Sequence, residues 1–135
     1  MDKILFLGSN SFTGFYFQKF IKQKELDKEY KFIGTDISDN HNNNFSVSDY
    51  IKLNPLDKSE LSNVILNLKP DYIINFIGTF SGASYNDYLN VNVNISKNIF
   101  DILLENNLDV KKVLLIGSAA EYGIVKDMPI KEDSC

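Results

Sequence analysis

Arginine is missing from this 135-residue chain: its 14 basic residues are all lysines, against 18 aspartates and glutamates, for a formal net charge of −4. A chain that grips a nucleic-acid backbone concentrates positive charge, and one that holds a doubly charged phosphate favours guanidinium forks. The deficit therefore argues against nucleic acid as a partner and, more mildly, against dianionic phosphate. Cysteine occurs once, as Cys135, which excludes an internal disulfide framework and suits a reducing compartment. The lone histidine, His41, has no second metal-type residue at a useful spacing, so it reads as solvated and no metal site is expected. Long apolar runs are lacking too. The run around Ile4–Leu7 is too short for a signal-peptide core or a membrane span, so the expectation is a cytoplasmic protein without a membrane partner.

What is present reads as a single globular domain, residues 1–135, with 44% hydrophobic and 24% charged residues. Lys3–Leu7 is a short apolar run ending at glycine, the pattern of a strand buried on both faces. A loop from Gly8 to Gly14 then opens into a helix over Phe15–Lys24, with apolar residues at 15, 17, 20 and 21. Tyr30–Thr35 is a second strand, closing at Asp36, and the polar residues 38–46 form an exposed loop. Tyr50–Leu53 suits a third strand. Asp57-Lys-Ser-Glu60 is a capping box, opening a helix whose stripe is Leu61, Val64, Ile65 and Leu68 and which stops at Pro70. Asp71–Ile77 holds a fourth strand and Lys112–Ile116 a fifth, with irregular chain from Gly117. Between them, Leu89–Ile95 alternates at period two as a strand would. Over a longer window Tyr88, Val91, Ile95, Ile99 and Ile102 recur at helical spacing, and residues 86–106 are too many for one strand, so a helix is expected.

Strands alternating with helices imply a parallel sheet with right-handed crossovers. Such sheets bind ligands outside the carboxyl ends of their strands, so the residues that follow each strand are the candidates for chemistry. Gly8 permits a tight turn out of the first strand and Gly14 a close helix–sheet approach, while the helix N-terminus between them offers amides to a pyrophosphate. Ser11 stands where such loops usually carry a middle glycine. Asp36 ends the second strand 22 residues beyond Gly14, near the roughly 20 expected for an acid that binds ribose. A carboxylate there accepts two ribose hydroxyls and repels a 2′-phosphate, which favours NAD over NADP. An ordinary tight turn and a loop-capping aspartate are the alternative readings.

With these residues in place, the whole chain resembles the N-terminal part of the NAD-dependent epimerase/dehydratase family, the extended short-chain dehydrogenases/reductases that act on nucleotide sugars. The resemblance rests on the Gly8–Gly14 loop, Asp36, Asn54-Pro-Leu-Asp57, Lys69–Gly78, Val91-Asn-Val93 and Gly117-Ser-Ala-Ala-Glu-Tyr-Gly123. The ending Met128–Ser134 is similar to the stretch that shortly precedes the catalytic tyrosine of such enzymes. It implies a Rossmann-type parallel sheet of about five strands with helices on both faces, truncated before the last strands and the substrate domain. It also implies pyrophosphate contacts from Gly8, Ser11, Phe12 and Gly14, and ribose contacts from Asp36 with Ile37 beside it. Asn54, with Pro55 next to it, takes the place of an aspartate that meets adenine. Phe76, Ile77 and Gly78 line the cofactor, with Ile77 a bulky departure that could narrow the nicotinamide side. Asn92 matches an asparagine of the long helix, although Asn90, Asn94 and Asn98 nearby make a chance match easy. Ile116 ends the fifth strand beside the cofactor, and Ser118 matches the catalytic serine or threonine that hydrogen-bonds the reacting sugar oxygen.

Two departures narrow the implied activity. The family's dehydratases carry an acidic pair directly after the serine position, where this chain has Ala119 and Ala120, with Glu121 one residue too late. Elimination of water then lacks its acid–base group, leaving epimerase or ketosugar reductase. The family's tyrosine and lysine, four residues apart, should lie about a dozen residues beyond Cys135. Tyr122 and Lys126 have that spacing, but Gly123 follows the tyrosine and no helical pattern surrounds it, so the pair reads as a decoy. Three readings stay open: the cofactor-binding part of a nucleotide-sugar enzyme, lacking turnover by itself; a small NAD-binding sensor or subunit; or an interaction domain that has lost the cofactor. An uncovered fifth strand makes a homo-oligomer an expectation in all three.

Overall fold

The computed structural model describes residues 1–39, 49–82, 84–124 and 129–132. Five strands, β1 (Asp2–Leu7), β2 (Tyr30–Asp36), β3 (Asp49–Lys52), β4 (Tyr72–Asn75) and β5 (Lys112–Leu115), form one all-parallel sheet in the order β3-β2-β1-β4-β5. The register sets Leu7 beside Thr35 on one side and Asn75 on the other. The strand order reverses at β1, so the crevice above its carboxyl end is the topological switch point where ligands of open α/β sheets bind. His41, residues 40–46 of the expected loop, Lys126, Met128, Asp133, Ser134 and Cys135 lie outside the described residues.

Alternation along β1 builds a core on each face. Leu5 and Leu7, with Ile33 and Ile73, pack under α2 (Lys58–Leu68) and α4 (Ile95–Glu105), whose Leu61, Ile65, Ile95, Ile99 and Ile102 are buried against them. Phe6 points the other way, to Phe32 and to Ile21 of α1 (Phe12–Gln23), in an aromatic cluster with Phe17 and Phe76. Helices on both faces explain why β1 is apolar at successive positions. At the amino end of the sheet, Asp71 accepts from the Lys3 amide (2.8 Å) and pairs with Lys111, which also reaches Asp2. Those contacts, the Lys3 amide first, hold the Asp71 carboxyl below the usual carboxylate range.

Several boundaries differ from the expectation, each for a local reason. Helix α1 begins at Phe12, three residues early, because Ser11 caps it: its Oγ accepts the Gly14 amide at 3.0 Å. Strand β4 stops at Asn75, whose Oδ1 takes the Ile77 amide (3.0 Å) and turns the chain out of the ladder. Asp57 caps α2 through Ser59 and Glu60, but the box is not closed: Glu60 Oε2 accepts the Asn54 amide (2.8 Å) instead. The stretch that alternates at period two is helical, as the longer window implies. It runs from α3 (Tyr85–Leu89) through a π-helical segment, Asn90–Asn94, into α4. Past Gly117, where irregular chain is expected, Ala119–Tyr122 makes a 3₁₀ turn.

Candidate functional site

The sequence at the end of β1 dictates the floor of the crevice. Gly8 turns out of the strand with φ +79°, a conformation that favours glycine, and its amide and that of Ser9 both donate to the Thr35 carbonyl at 2.9 Å. A Cβ on Gly8 would lie 3.0 Å from Ile77 Cγ1. The Ser11 amide closes back onto the Gly8 carbonyl (3.1 Å), and its hydroxyl takes up the Gly14 amide. Among the described residues the amides of Phe12 and Thr13, the first two of α1, have no acceptor, so the helix start presents donors to the crevice mouth. Ser11 thus acts as a helix cap in the place of the middle glycine. Ser11→Ala is expected to cost about 1 kcal/mol and Ser11→Gly only a few tenths, read from urea midpoints. Equal costs would remove the hydroxyl from the account.

Asp36 is tied to this loop. Its Oδ2 accepts the Asn10 amide at 3.1 Å, while Asn10 Nδ2 donates to Ser38 Oγ at 2.7 Å. The ends of β1 and β2 therefore form one wall of a cleft of about 410 Å³. Gly8, Ser11, Asp36 and Ile37 line it, with Asn54 and Pro55 after β3 and Phe76, Ile77 and Gly78 after β4, nine positions that the sequence indicates. Asp36 is the sole ionisable side chain among the described residues of this lining. Lys52, in register with Asp36 on β3, is paired with Asp39 at 2.7 Å, and that carboxylate raises the lysine's pKa.

A second cleft, about 480 Å³, shares Phe76, Ile77 and Gly78 with the first and continues the crevice over β4 and β5. Asn92, Ile116 and Ser118 line it. Asn92 holds the loop after β4: its Oδ1 accepts the Thr79 amide (2.8 Å) and its Nδ2 donates to the Thr79 carbonyl (2.9 Å). It does so from the π-helical segment, a distortion frequent at functional sites. Asn75, 5% exposed, links this region as well, receiving the Ile116 amide at its carbonyl (3.3 Å) and donating from Nδ2 to Ser96 (3.3 Å).

Not every indicated residue reaches the crevice. Gly14 is buried below it, where a Cβ would come 2.2 Å from the Gly8 carbonyl oxygen, so its part is packing. The Phe12 side chain is 80% exposed and leans on Tyr16, outside both linings, leaving its amide as what it offers. Tyr122 also lies outside both linings. Sequence reasoning marked the segments that hold Asn10 and Thr79 without giving either a role, and missed Leu56, Val91 and Ile95 in the first cleft and Ser96 and Glu121 in the second. Asn10 had a signal, its place between Gly8 and Ser11. Thr79 had one too, its place just after the fourth strand, whereas Ser96 had none, since only the folded chain brings it to the opening.

Solved structures share the fold. The UDP-Glc/GlcNAc 4-epimerase of Campylobacter jejuni matches all of this chain with TM-score 0.81 at 16% identity. The UDP-glucose 4-epimerase of Bifidobacterium longum, solved with NAD+ and UDP, matches 98% with TM-score 0.76 at 21% identity. The Bordetella bronchiseptica enzyme WbmG, solved with NAD, matches 98% with TM-score 0.78 at 19% identity. The chain spans 43%, 42% and 42% of those proteins, respectively. At such identities the likeness establishes the fold. The family model for NAD dependent epimerase/dehydratase matches residues 4–135, and the chain belongs to that family.

Proposed function

We propose that this chain is the NAD-binding portion of a nucleotide-sugar epimerase or ketosugar reductase. The observation that carries the reading is the Asn10–Asp36 hydrogen bond, which joins a glycine turn, a capped helix start and a carboxylate in one cleft. The donor set suits a dinucleotide. Backbone amides at Phe12 and Thr13 meet the pyrophosphate without a cation, and Asp36 accepts from the adenosine ribose hydroxyls. Asn54 and Pro55 would border the adenine, and Phe76, Ile77 and Gly78, which line both clefts, would border the part of the dinucleotide between its two ends. No cation lines the cleft beside Asp36 among the described residues, and Lys52 is engaged by Asp39, which supports NAD over NADP.

A bound nicotinamide cofactor would supply hydride transfer at a sugar carbon. This chain's residues orient and hold. Asn92 fixes Thr79 and so the loop that borders the second cleft, and Ser118 offers a hydroxyl there for hydrogen bonding to the sugar oxygen that gains or loses a proton. A nucleotide sugar is the partner that this arrangement implies for the complete enzyme.

Calorimetric titration with NAD and NADP in parallel tests the reading. Saturable NAD binding, at least tenfold tighter than NADP, is the expected result. Equal binding of both would mean that Lys52 leaves Asp39 for the 2′-phosphate. No heat from either, with a folded chain by circular dichroism, would shift the case to a second reading, an interaction domain. That reading has its own observation, the exposed aromatic row Phe12, Tyr16 and Phe20 along α1.

A further inference from the structure

Glu121 is the sole ionisable side chain among the described residues that line the second cleft. The 3₁₀ turn Ala119–Tyr122, closed by the Glu121 amide on the Ser118 carbonyl (3.1 Å), folds its carboxylate back over Gly117. Oε1 sits 3.2 Å from where a Gly117 Cβ would be, so a side chain at 117 would crowd it. The polar neighbours in the lining, Asn75, Thr79, Asn92, Ser96 and Ser118, are all neutral. Lys97 lines the adjoining hollow with Glu121 and is paired with Asp101. Among the described residues, no cation lines this end of the crevice beside that carboxylate.

We propose that Glu121 is a specificity-determining residue that makes this end of the crevice favour a cationic ring, and hence NAD+ over NADH. The inference rests on the proposed function, with the adenosine half at Asp36 and the nicotinamide half across β1 in the second cleft. The two redox forms share every phosphate and hydroxyl and differ at the ring by one positive charge. A carboxylate facing that ring therefore enters the affinity of the oxidised form and drops out of the reduced one. At a partly solvated separation of several ångström, the Coulomb attraction corresponds to about threefold to tenfold in affinity. It weakens as salt rises, because screening acts over about 10 Å at 0.1 M ionic strength.

The test measures dissociation constants of the full 135-residue chain and of Glu121→Gln for NAD+, NADH and ADP-ribose, which lacks the ring, at low and high salt. Expected is a loss of about threefold to tenfold in NAD+ affinity in the variant, with NADH and ADP-ribose changed less than about twofold. The wild-type preference for NAD+ over NADH should also shrink with added salt. If ADP-ribose binds normally but the NAD+/NADH ratio is the same in both proteins, the role of Glu121 is overturned while the cofactor assignment stands. If neither NAD+ nor ADP-ribose binds a chain that circular dichroism shows to be folded, the cofactor assignment fails and the inference falls with it. Glu121 is exposed, so the glutamine variant is expected to fold, and Glu121→Ala, with the same spectrum, repeats the comparison without an amide.

Discussion

Gly14→Ala is expected to destabilise the chain by about 3 kcal/mol or more, the scale of a core substitution that forces backbone to move. The added methyl would lie 2.2 Å from the Gly8 carbonyl oxygen and 2.8 Å from that of Ser9, distances that no rotamer change relieves. The Gly8 carbonyl cannot simply retreat. It accepts the Ser11 amide, while the Gly8 and Ser9 amides are both anchored on the Thr35 carbonyl. Moving α1 outward instead would open the cluster of Phe6, Ile21 and Phe32 and strand the buried Gln18 Nε2, which donates to the Ser9 carbonyl at 2.7 Å. Urea unfolding supplies the measurement. Gly78→Ala is a fitting control, since a Cβ there meets only Asn92 Oδ1 at 3.5 Å, and should stay within about 0.5 kcal/mol of wild type. A Gly14→Ala protein as stable as that control would show that the helix can slide away from the turn without cost.

Gly14 also marks how far the chain could be read before it was folded. Its position in the glycine loop pointed to close packing, which the geometry bears out, but it also suggested a phosphate contact that a residue buried under the turn does not line up to make. All five strands were identified, most plainly the inner ones, because a strand covered on both faces leaves an unmistakable block such as Ile4–Leu7. The errors fall where a polar side chain takes a backbone partner. Ser11 starts α1 early, Asn75 ends β4 early, and Glu60 chooses Asn54 over Asp57. Each choice depends on which amide is left unpaired nearby, a matter of three-dimensional placement that periodicity does not record. The segment from Leu89 to Ile95 shows the same limit from another side. Its alternation at period two coexists with a helix, part of it π-helical, and only the longer window separates the two templates.

The site divides along the same line. Residues placed by the ends of strands, Gly8, Asp36, Phe76, Ile77 and Gly78, were legible because a parallel sheet sends every such end to one crevice. Of the residues that reach it from helices, Asn92 was indicated, but Val91, Ile95 and Ser96 were not. Their side chains read as part of an apolar stripe or as a solvated face. Glu121 is the sharpest case. Counted along the chain it falls one place past the position where an acid was sought, yet the 3₁₀ turn returns its carboxylate to the cleft that holds Ser118.

Asp36→Ala is expected to lower NAD affinity by about tenfold to a hundredfold, the range for losing hydrogen bonds to a charged acceptor. It should also narrow the gap to NADP, because the group that repels a 2′-phosphate is gone. Structure and binding are entangled here, since Asp36 Oδ2 holds the Asn10 amide and Oδ1 faces the Ser38 amide at 3.4 Å. Alanine releases both, and part of its effect could come from a loosened loop. Asp36→Asn separates the two. Its carbonyl oxygen can still accept from Asn10, whereas it has neither the charge to draw two ribose hydroxyls nor the charge to repel phosphate. Loss of NAD binding in both variants, with only the alanine variant destabilised to urea, would assign the carboxylate a direct part in ribose recognition. Full NAD affinity in the asparagine variant would instead make Asp36 a strut of the Gly8–Gly14 loop. The preference between the two cofactors would then have to come from the pairing of Lys52 with Asp39.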